Sequence, residues 1–222
     1  MIKKNLLKRI ITSLVLISIL FSMFISSMMM ILIIIIISAL SFYEFNRLFV
    51  RILDNIFLKI LSSGLILIYL FSFVFIILWI ESVKFESPDY KLFLFYSIIV
   101  SILSDLGGYI IGNIFKGKKL IKISPNKTIS GAIGALIFSI LMIPIFYRYL
   151  NLDINLLFWV TIIISIISQL GDLSISFLKR LAKVKDTGNI LPGHGGVLDR
   201  VDGILFAAPI GLFLLDYISL IS

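Results

Sequence analysis

Charged and apolar residues are sharply segregated along this chain. From Ile10 to Tyr43 no residue carries a charge, a run of 34 positions. A helix that crosses a hydrocarbon layer roughly 30 Å thick needs about 20 mainly apolar residues. One helix over the whole run would reach roughly 51 Å at about 1.5 Å per residue, too long without extreme tilt. The pattern therefore predicts two short spans divided near Ser26-Ser27. Further spans are predicted at about Ile60–Ile80, Leu92–Gly112, Gly131–Tyr149, Leu156–Phe177 and Gly203–Ile221, seven in all. Backbone polar groups in lipid must bond within their own segment, so helices are expected. The runs are also far longer than the alternating strands of a membrane β-barrel. The expected architecture is all-α: a polytopic integral membrane helix bundle of about seven transmembrane helices, forming one domain over residues 1–222.

Composition narrows the function classes. Of the 222 residues 60% are hydrophobic and 14% charged, against roughly 45–50% and about 25% in soluble domains. A mean hydropathy of +1.15 leaves too little polar surface to cover a water-soluble core. The net charge of +8 does not make a nucleic-acid binder, which has no need of long uncharged apolar runs. The absence of cysteine excludes a disulfide framework, a thiolate metal site and a cysteine nucleophile. Lys3, Lys4, Lys8 and Arg9 precede the first apolar run as in a secretory leader, but no small-x-small cleavage site follows. That run is read as a span.

The sparse charges then set an orientation. With the N-terminus in the cytoplasm, 17 Lys and Arg residues fall on the inner side and only Lys84, Lys91 and Arg148 on the outer side, as the positive-inside rule requires. The expected location is a cell inner membrane, bacterial in type, with the active face cytoplasmic. Asp105 and Asp172 lie inside predicted spans, where an ionised carboxylate is expensive and faces a bundle interior or wet cavity. Asp186, Asp199 and Asp202 join them, so five of the twelve acids gather on one membrane face.

The segment Lys179 to Asp202 carries most of the chemistry. Lys179, Arg180 and Lys185-Asp186 precede Pro192-Gly193-His194-Gly195-Gly196, and Asp199-Arg200-x-Asp202 follows. Glycines let a ligand approach the backbone closely, and here they surround the only histidine. Asp199 and Asp202, three apart, share a helical face. Carboxylate oxygens beside Lys and Arg suit a Mg²⁺-bound polyphosphate, since magnesium binds through one or two carboxylates plus phosphates. The other inner loop holds five lysines, with Ser124-Pro125-Asn126-Lys127-Thr128 and then Gly131-x-x-Gly134. It reads as the phosphate-binding half of a site, or as an anchor for anionic lipid headgroups.

Taken together these residues resemble the integral-membrane phosphatidate cytidylyltransferases. The match runs Ser176-x-x-Lys179-Arg180, Lys185-Asp186-x-Gly188 and Leu191-Pro192-Gly193-His194-Gly195-Gly196-x-Leu198-Asp199-Arg200-x-Asp202, within a signature region of 171–203 that also contains Gly171-Asp172. Ser124-Pro125 with Lys127-Thr128 and Gly131 resembles a second motif, and Asp105 with Gly108-Tyr109 its upstream partner. Weaker likeness reaches Arg9-Ile10-Ile11 and Tyr43-Glu44-Phe45. Asn126, Ile129, Ser130 and Ala135 depart from residues common in that family.

The resemblance implies Mg²⁺-dependent transfer of CMP from CTP to phosphatidate, giving CDP-diacylglycerol and pyrophosphate, with room for a second cation. It implies Asp172, Asp199 and Asp202 as metal ligands, Asp186 as a further acid of the site, and Lys179, Arg180, Lys185 and Arg200 as phosphate-binding cations. Lys127, Ser124, Gly195 and Gly196 would contact substrate. His194 would touch phosphate, assist proton transfer or order its loop. The expected partners are CTP, phosphatidate and the bilayer, and a homodimer is implied by the family alone. Two other readings are a cytidylyltransferase for another lipid phosphate and an ion transporter relaying through Asp105 and Asp172. Transport predicts a polar path across both leaflets, whereas the outer halves of the spans are read as free of acid.

Overall fold

The computed structural model describes residues 2–83, 89–121 and 124–219, with side chains left undescribed at 2–6, 80–83, 89, 121 and 124–126. Lys84, Lys122 and the end of the last predicted span lie outside the described residues, as do the side chains of Lys3, Lys4 and Ser124. Eight helices and one small hairpin follow in order: α1 (Ile2–Ile25), α2 (Ser27–Ile52), α3 (Ile56–Val83), α4 (Asp89–Phe115), β1 (Lys119–Ile121), β2 (Ser124–Thr128), α5 (Ile129–Ile140), α6 (Ile143–Leu150), α7 (Ile154–Leu181) and α8 (Leu198–Ser219). Among the described residues, seven stretches are long and apolar enough to cross a membrane, as the hydropathy pattern predicts.

Local chemistry explains the boundaries. The first apolar run breaks at Ser26, whose extended backbone and hydroxyl cap α2 by accepting the Met29 N–H. The fifth span is two helices: α5 ends at Ile140 and α6 restarts with Pro144 in its first turn, where a missing N–H is harmless. Asn151 closes α6 in the left-handed region. Asp153 then opens α7 by accepting the N–H groups of Asn155 at 2.8 Å and Leu156 at 3.2 Å. The hairpin is an addition that the all-helical expectation lacked. Its antiparallel pairing sets Lys119 opposite Thr128. Further acids inside helices were assigned no role from sequence. Glu44 lies in α2, and Asp216 lies three residues from the last described position of α8, so the C-terminal half of that predicted span, expected to be free of acid, contains one.

The chain groups into two compact units, Met1–Val83 with Leu178–Val201, and Lys84–Phe177 with Asp202–Ser222. In the first, α2 packs against α1 and α3. In the second, α4 and α5 are closely apposed. A Cβ built on Gly131 would lie 2.8 Å from the Gly108 carbonyl oxygen, and one on Gly134 2.8 Å from that of Gly107. Small residues of this kind let membrane helices touch backbone to backbone. A polar ladder joins α4 to α7 through Tyr96–Thr161 at 2.5 Å, Ser101–Ser168 at 2.6 Å and Ser104–Ser165 at 2.9 Å. All six residues but Tyr96 are short hydroxyl side chains, and each pair satisfies groups that lipid cannot.

Candidate active site

The first unit builds the Gly-rich segment around two carboxylates. Helix α7 ends in a Schellman turn: the Val184 N–H donates to the Lys179 carbonyl at 3.0 Å and the Lys183 N–H to that of Arg180 at 3.1 Å. Lys183 takes the left-handed conformation there, φ 54°. Further on, the His194 N–H donates to the Leu191 carbonyl at 3.0 Å. Pro192 and Gly193 (φ 79°) occupy the centre of that turn, the residue order that a type II turn demands. Leu191 and Gly195 exchange two main-chain hydrogen bonds that close it.

Glu44 anchors this segment from α2. Its carboxylate is fully buried and accepts the Thr187 hydroxyl at 2.7 Å, the Val197 N–H at 3.0 Å and the Leu198 N–H at 2.8 Å. A carboxylate at a helix N-terminus meets unpaired N–H groups and the favourable end of the helix dipole. Cβ atoms on Gly188 or Gly196 would collide with Glu44. These two glycines are thus required by the buried carboxylate, whatever a ligand needs. From sequence, Glu44 entered only through the weaker Tyr43-Glu44-Phe45 likeness, and its anchoring role was not read. Its signal was available: it is the first acid in the chain and ends the charge-free run.

Asp199, in the first turn of α8, is equally committed to protein donors. One oxygen accepts Lys179 Nζ at 2.7 Å; the other accepts the Thr187 N–H at 2.8 Å and the Gly196 N–H at 3.0 Å. Its side chain is 5% exposed. The Thr187 hydroxyl also stands 3.0 Å from Asp199, so its single proton lies between two carboxylates. The turn itself is held from three sides. Arg200 places two N–H groups on the His194 carbonyl, at 2.9 and 3.2 Å, and Arg9 donates to that of Gly193 at 3.2 Å. Thr12 pairs with His194 Nδ1. Partial burial and the positive charges of Arg200 and Arg9 hold the His194 imidazole below its ordinary range. Arg180, Lys185, Asp186 and Arg200 are exposed.

The second unit holds a cavity of about 220 Å³ whose charged lining is Asp105 from α4, Lys127 from β2 and Asp172 from α7. Lys127 forms an ion pair with Asp172, and Ser176 donates to the other Asp172 oxygen at 3.3 Å. Thr128 ends the hairpin as the cap of α5, accepting the Gly131 N–H at 3.1 Å, which fixes Lys127 one residue before the cap of a rigid helix. Asp202 is buried on α8, one oxygen accepting the Gly203 N–H at 2.9 Å.

Among the site residues expected from sequence, Lys179, Thr187-flanked Asp186, His194, Gly195, Gly196, Asp199 and Arg200 thus belong to the first unit, and Lys127, Asp172 and Asp202 to the second. Among the described residues no three Asp, Glu or His side chains converge closely enough to hold a metal ion. Asp105 and Asp172, opening on one cavity, do offer the pair of hard oxygen donors that Mg²⁺ combines with phosphate oxygens. Asp199 has both oxygens occupied by protein donors.

Residues 48–218 match the sequence profile of the cytidylyltransferase family, and the chain belongs to that family. It is 50% identical over 121 residues to a phosphatidate cytidylyltransferase of Staphylococcus haemolyticus, covering 53% of this chain and 46% of the relative. A protein of the same name from Bacillus subtilis is 42% identical over 130 residues, 57% of this chain and 48% of the relative. The Staphylococcus aureus protein is 44% identical over 122 residues. The chain spans about half the length of the curated relatives it matches.

Proposed function

We propose that the chain transfers the CMP moiety of CTP to phosphatidate, giving CDP-diacylglycerol and pyrophosphate. The observation that carries this reading is the family match across residues 48–218, a stretch that contains both the charged cavity and the Gly-rich segment. A phosphatidate phosphate oxygen attacks the α-phosphorus of CTP. The bond from that phosphorus to the bridging oxygen breaks, and pyrophosphate leaves with the electron pair. The nucleophile is already an anion, so no serine or cysteine needs activation. The obstacle is bringing two polyanions together in line, which positioned cations overcome.

Lys127 supplies positive charge at the cavity, where Asp172 now holds it. Exchange of Asp172 for a substrate phosphate oxygen as its partner needs only a small shift of a flexible side chain. Arg180, Lys185 and Arg200 supply the exposed cations of the Gly-rich segment for the triphosphate or the lipid phosphate, and Lys179 with Asp199 keeps that segment in place. Asp105 and Asp172 are the residues that would hold Mg²⁺. When bound, the metal neutralises phosphate charge and draws electron density from the reacting phosphorus. The membrane face concerned is the cytoplasmic one, where CTP is available, in a bacterial cell membrane.

The test is formation of CDP-diacylglycerol from labelled CTP by the detergent-purified protein, with and without phosphatidate and Mg²⁺. Product that requires all three supports the reading. No product with phosphatidate, alongside product with a different lipid phosphate, would replace the substrate.

A further inference from the structure

Beside the charged cavity runs an apolar groove of about 270 Å³ between α5 and α7. Ile129, Ile133 and Leu136 line it from α5, and Ile166 and Leu170 from α7. Leu120, Ala132, Gln169 and Leu173 border both hollows. Of these four shared residues only Gln169 is polar. The two hollows therefore adjoin across these four residues, one charged and the other apolar, with one amide at the seam.

Both walls of the groove belong to membrane-crossing segments, and Ile133 and Leu170 are more than half exposed. In such a segment an exposed apolar side chain faces lipid, so the groove opens to the hydrocarbon layer. Gln169 sits three residues before Asp172, about 4.5 Å along the helix axis and on the same face of α7. Its Nε2 reaches Ser165 Oγ at only 3.4 Å, a long and weak hydrogen bond. An amide held so loosely in an otherwise apolar wall can turn to a better acceptor.

We propose that, given the lipid-phosphate substrate argued above, one acyl chain lies in the α5–α7 groove and Gln169 donates a hydrogen bond to its ester carbonyl. The phosphate then sits in the cavity beside Lys127. The glycerol backbone spans the short step from Asp172 to Gln169, and the chain continues towards Ile133, Ile166 and Leu170. Sparse polar groups in an apolar pocket fix orientation and specificity. Gln169 makes the protein a reader of the ester linkage. An ether lipid of the same length fills the groove but brings no carbonyl oxygen, leaving the amide only its long bond to Ser165.

The experiment compares kcat/KM for dioleoyl phosphatidate and for its dialkyl-ether analogue in mixed micelles. The expected wild-type preference for the ester lipid is about three- to tenfold, the worth of one neutral hydrogen bond. Gln169→Met, close in volume, is expected to reduce the ester-to-ether ratio to about one. Ile133→Trp, which fills the groove, is expected to raise KM for dioleoyl phosphatidate more than for dihexanoyl phosphatidate. A ratio unchanged in Gln169→Met, or a KM rise in Ile133→Trp independent of chain length, would overturn the placement and leave ordinary bilayer lipid as the groove's occupant. If Gln169→Met does not fold, the chain-length comparison in Ile133→Trp decides alone. A wild-type protein that forms no CDP-lipid from either substrate would instead overturn the phosphatidate reading, and this placement with it.

Discussion

The Glu44 carboxylate accepts the main-chain N–H of Leu198 at 2.8 Å, across 154 positions of sequence. The contact ties a buried acid on α2 to the first residue of α8, and Thr187 and Val197 complete its coordination. Removing the acid leaves the Val197 and Leu198 N–H groups unpaired in a buried place, with Asp199 the remaining acceptor for the Thr187 hydroxyl, which costs more than the bonds were worth. Glu44→Ala is expected to destabilise the protein by about 3–5 kcal/mol, the range for breaking a buried charged network. Glu44→Gln keeps one acceptor and loses less. A thermal melt in detergent ranks them. Thr187→Val combined with Glu44→Gln should cost less than the two single changes added, because both act on one hydrogen bond. Equal melting temperatures for wild type and Glu44→Ala would remove the anchoring role.

Lys127 faces Asp172 in the cavity, and its partner decides how its loss reads out. If it binds substrate phosphate, Lys127→Met lowers kcat/KM about a hundredfold or more, as loss of a positioned charge does, with little change in melting temperature. The reversed pair, Lys127→Asp with Asp172→Lys, separates structure from chemistry. It restores an ion pair and is expected to recover stability relative to either single reversal while staying inactive in the CTP assay. Recovery of turnover in the reversed pair would make the contact purely structural.

Much of the fold could be read from hydrophobic spacing, because a charge in lipid is costly and every long uncharged run must therefore be a span. The break at Ser26 was legible for the same reason: one helix would be too long, and a serine is a ready cap. Three features were not. Ser124-Pro125-Asn126-Lys127-Thr128 has no alternation of apolar residues, so nothing local announces β2; its strand exists through pairing with β1. Glu44 acts through donors that lie more than 140 positions away, a distance that no local pattern encodes. The glycines at 188 and 196 also make room for the Glu44 carboxylate and, at 196, for the Thr187 hydroxyl, a demand set by residues far away in sequence.

His194 gives the Gly-rich segment an acid-sensitive component. Its pKa in the folded protein lies below the ordinary 6.5 through partial burial and the charges of Arg200 and Arg9. The unfolded chain therefore binds the proton more readily, and stability rises with pH in this window. The contribution is fully present above about pH 6.5 and is lost as pH falls through the lower, folded value. Melting temperature measured from pH 8 to pH 5 should fall, and His194→Asn should flatten that slope. An identical slope in the variant would assign the acid sensitivity to other groups.

Two glycine positions should respond in opposite directions to the same substitution. Gly131 lies where α4 and α5 touch, and a Cβ there would sit 2.8 Å from the Gly108 carbonyl oxygen, closer than such atoms approach. The obstacle is main chain on a rigid helix, so relief requires the helices to move apart. Gly131→Ala is expected to cost about 1–3 kcal/mol, the usual penalty for overpacking. The shift would carry Thr128 and the adjoining Lys127 with it, lowering turnover as well as melting temperature. Gly64, in the interior of α3, has no heavy atom within 4 Å of a built Cβ. Gly64→Ala brings only the backbone effect and is expected to be neutral or to stabilise by up to about 1 kcal/mol. Paired melts and CTP turnover on the two variants test this. A Gly131→Ala protein as stable and active as Gly64→Ala would show that the α4–α5 contact yields freely, and that the cavity beside it is not held rigid by backbone apposition.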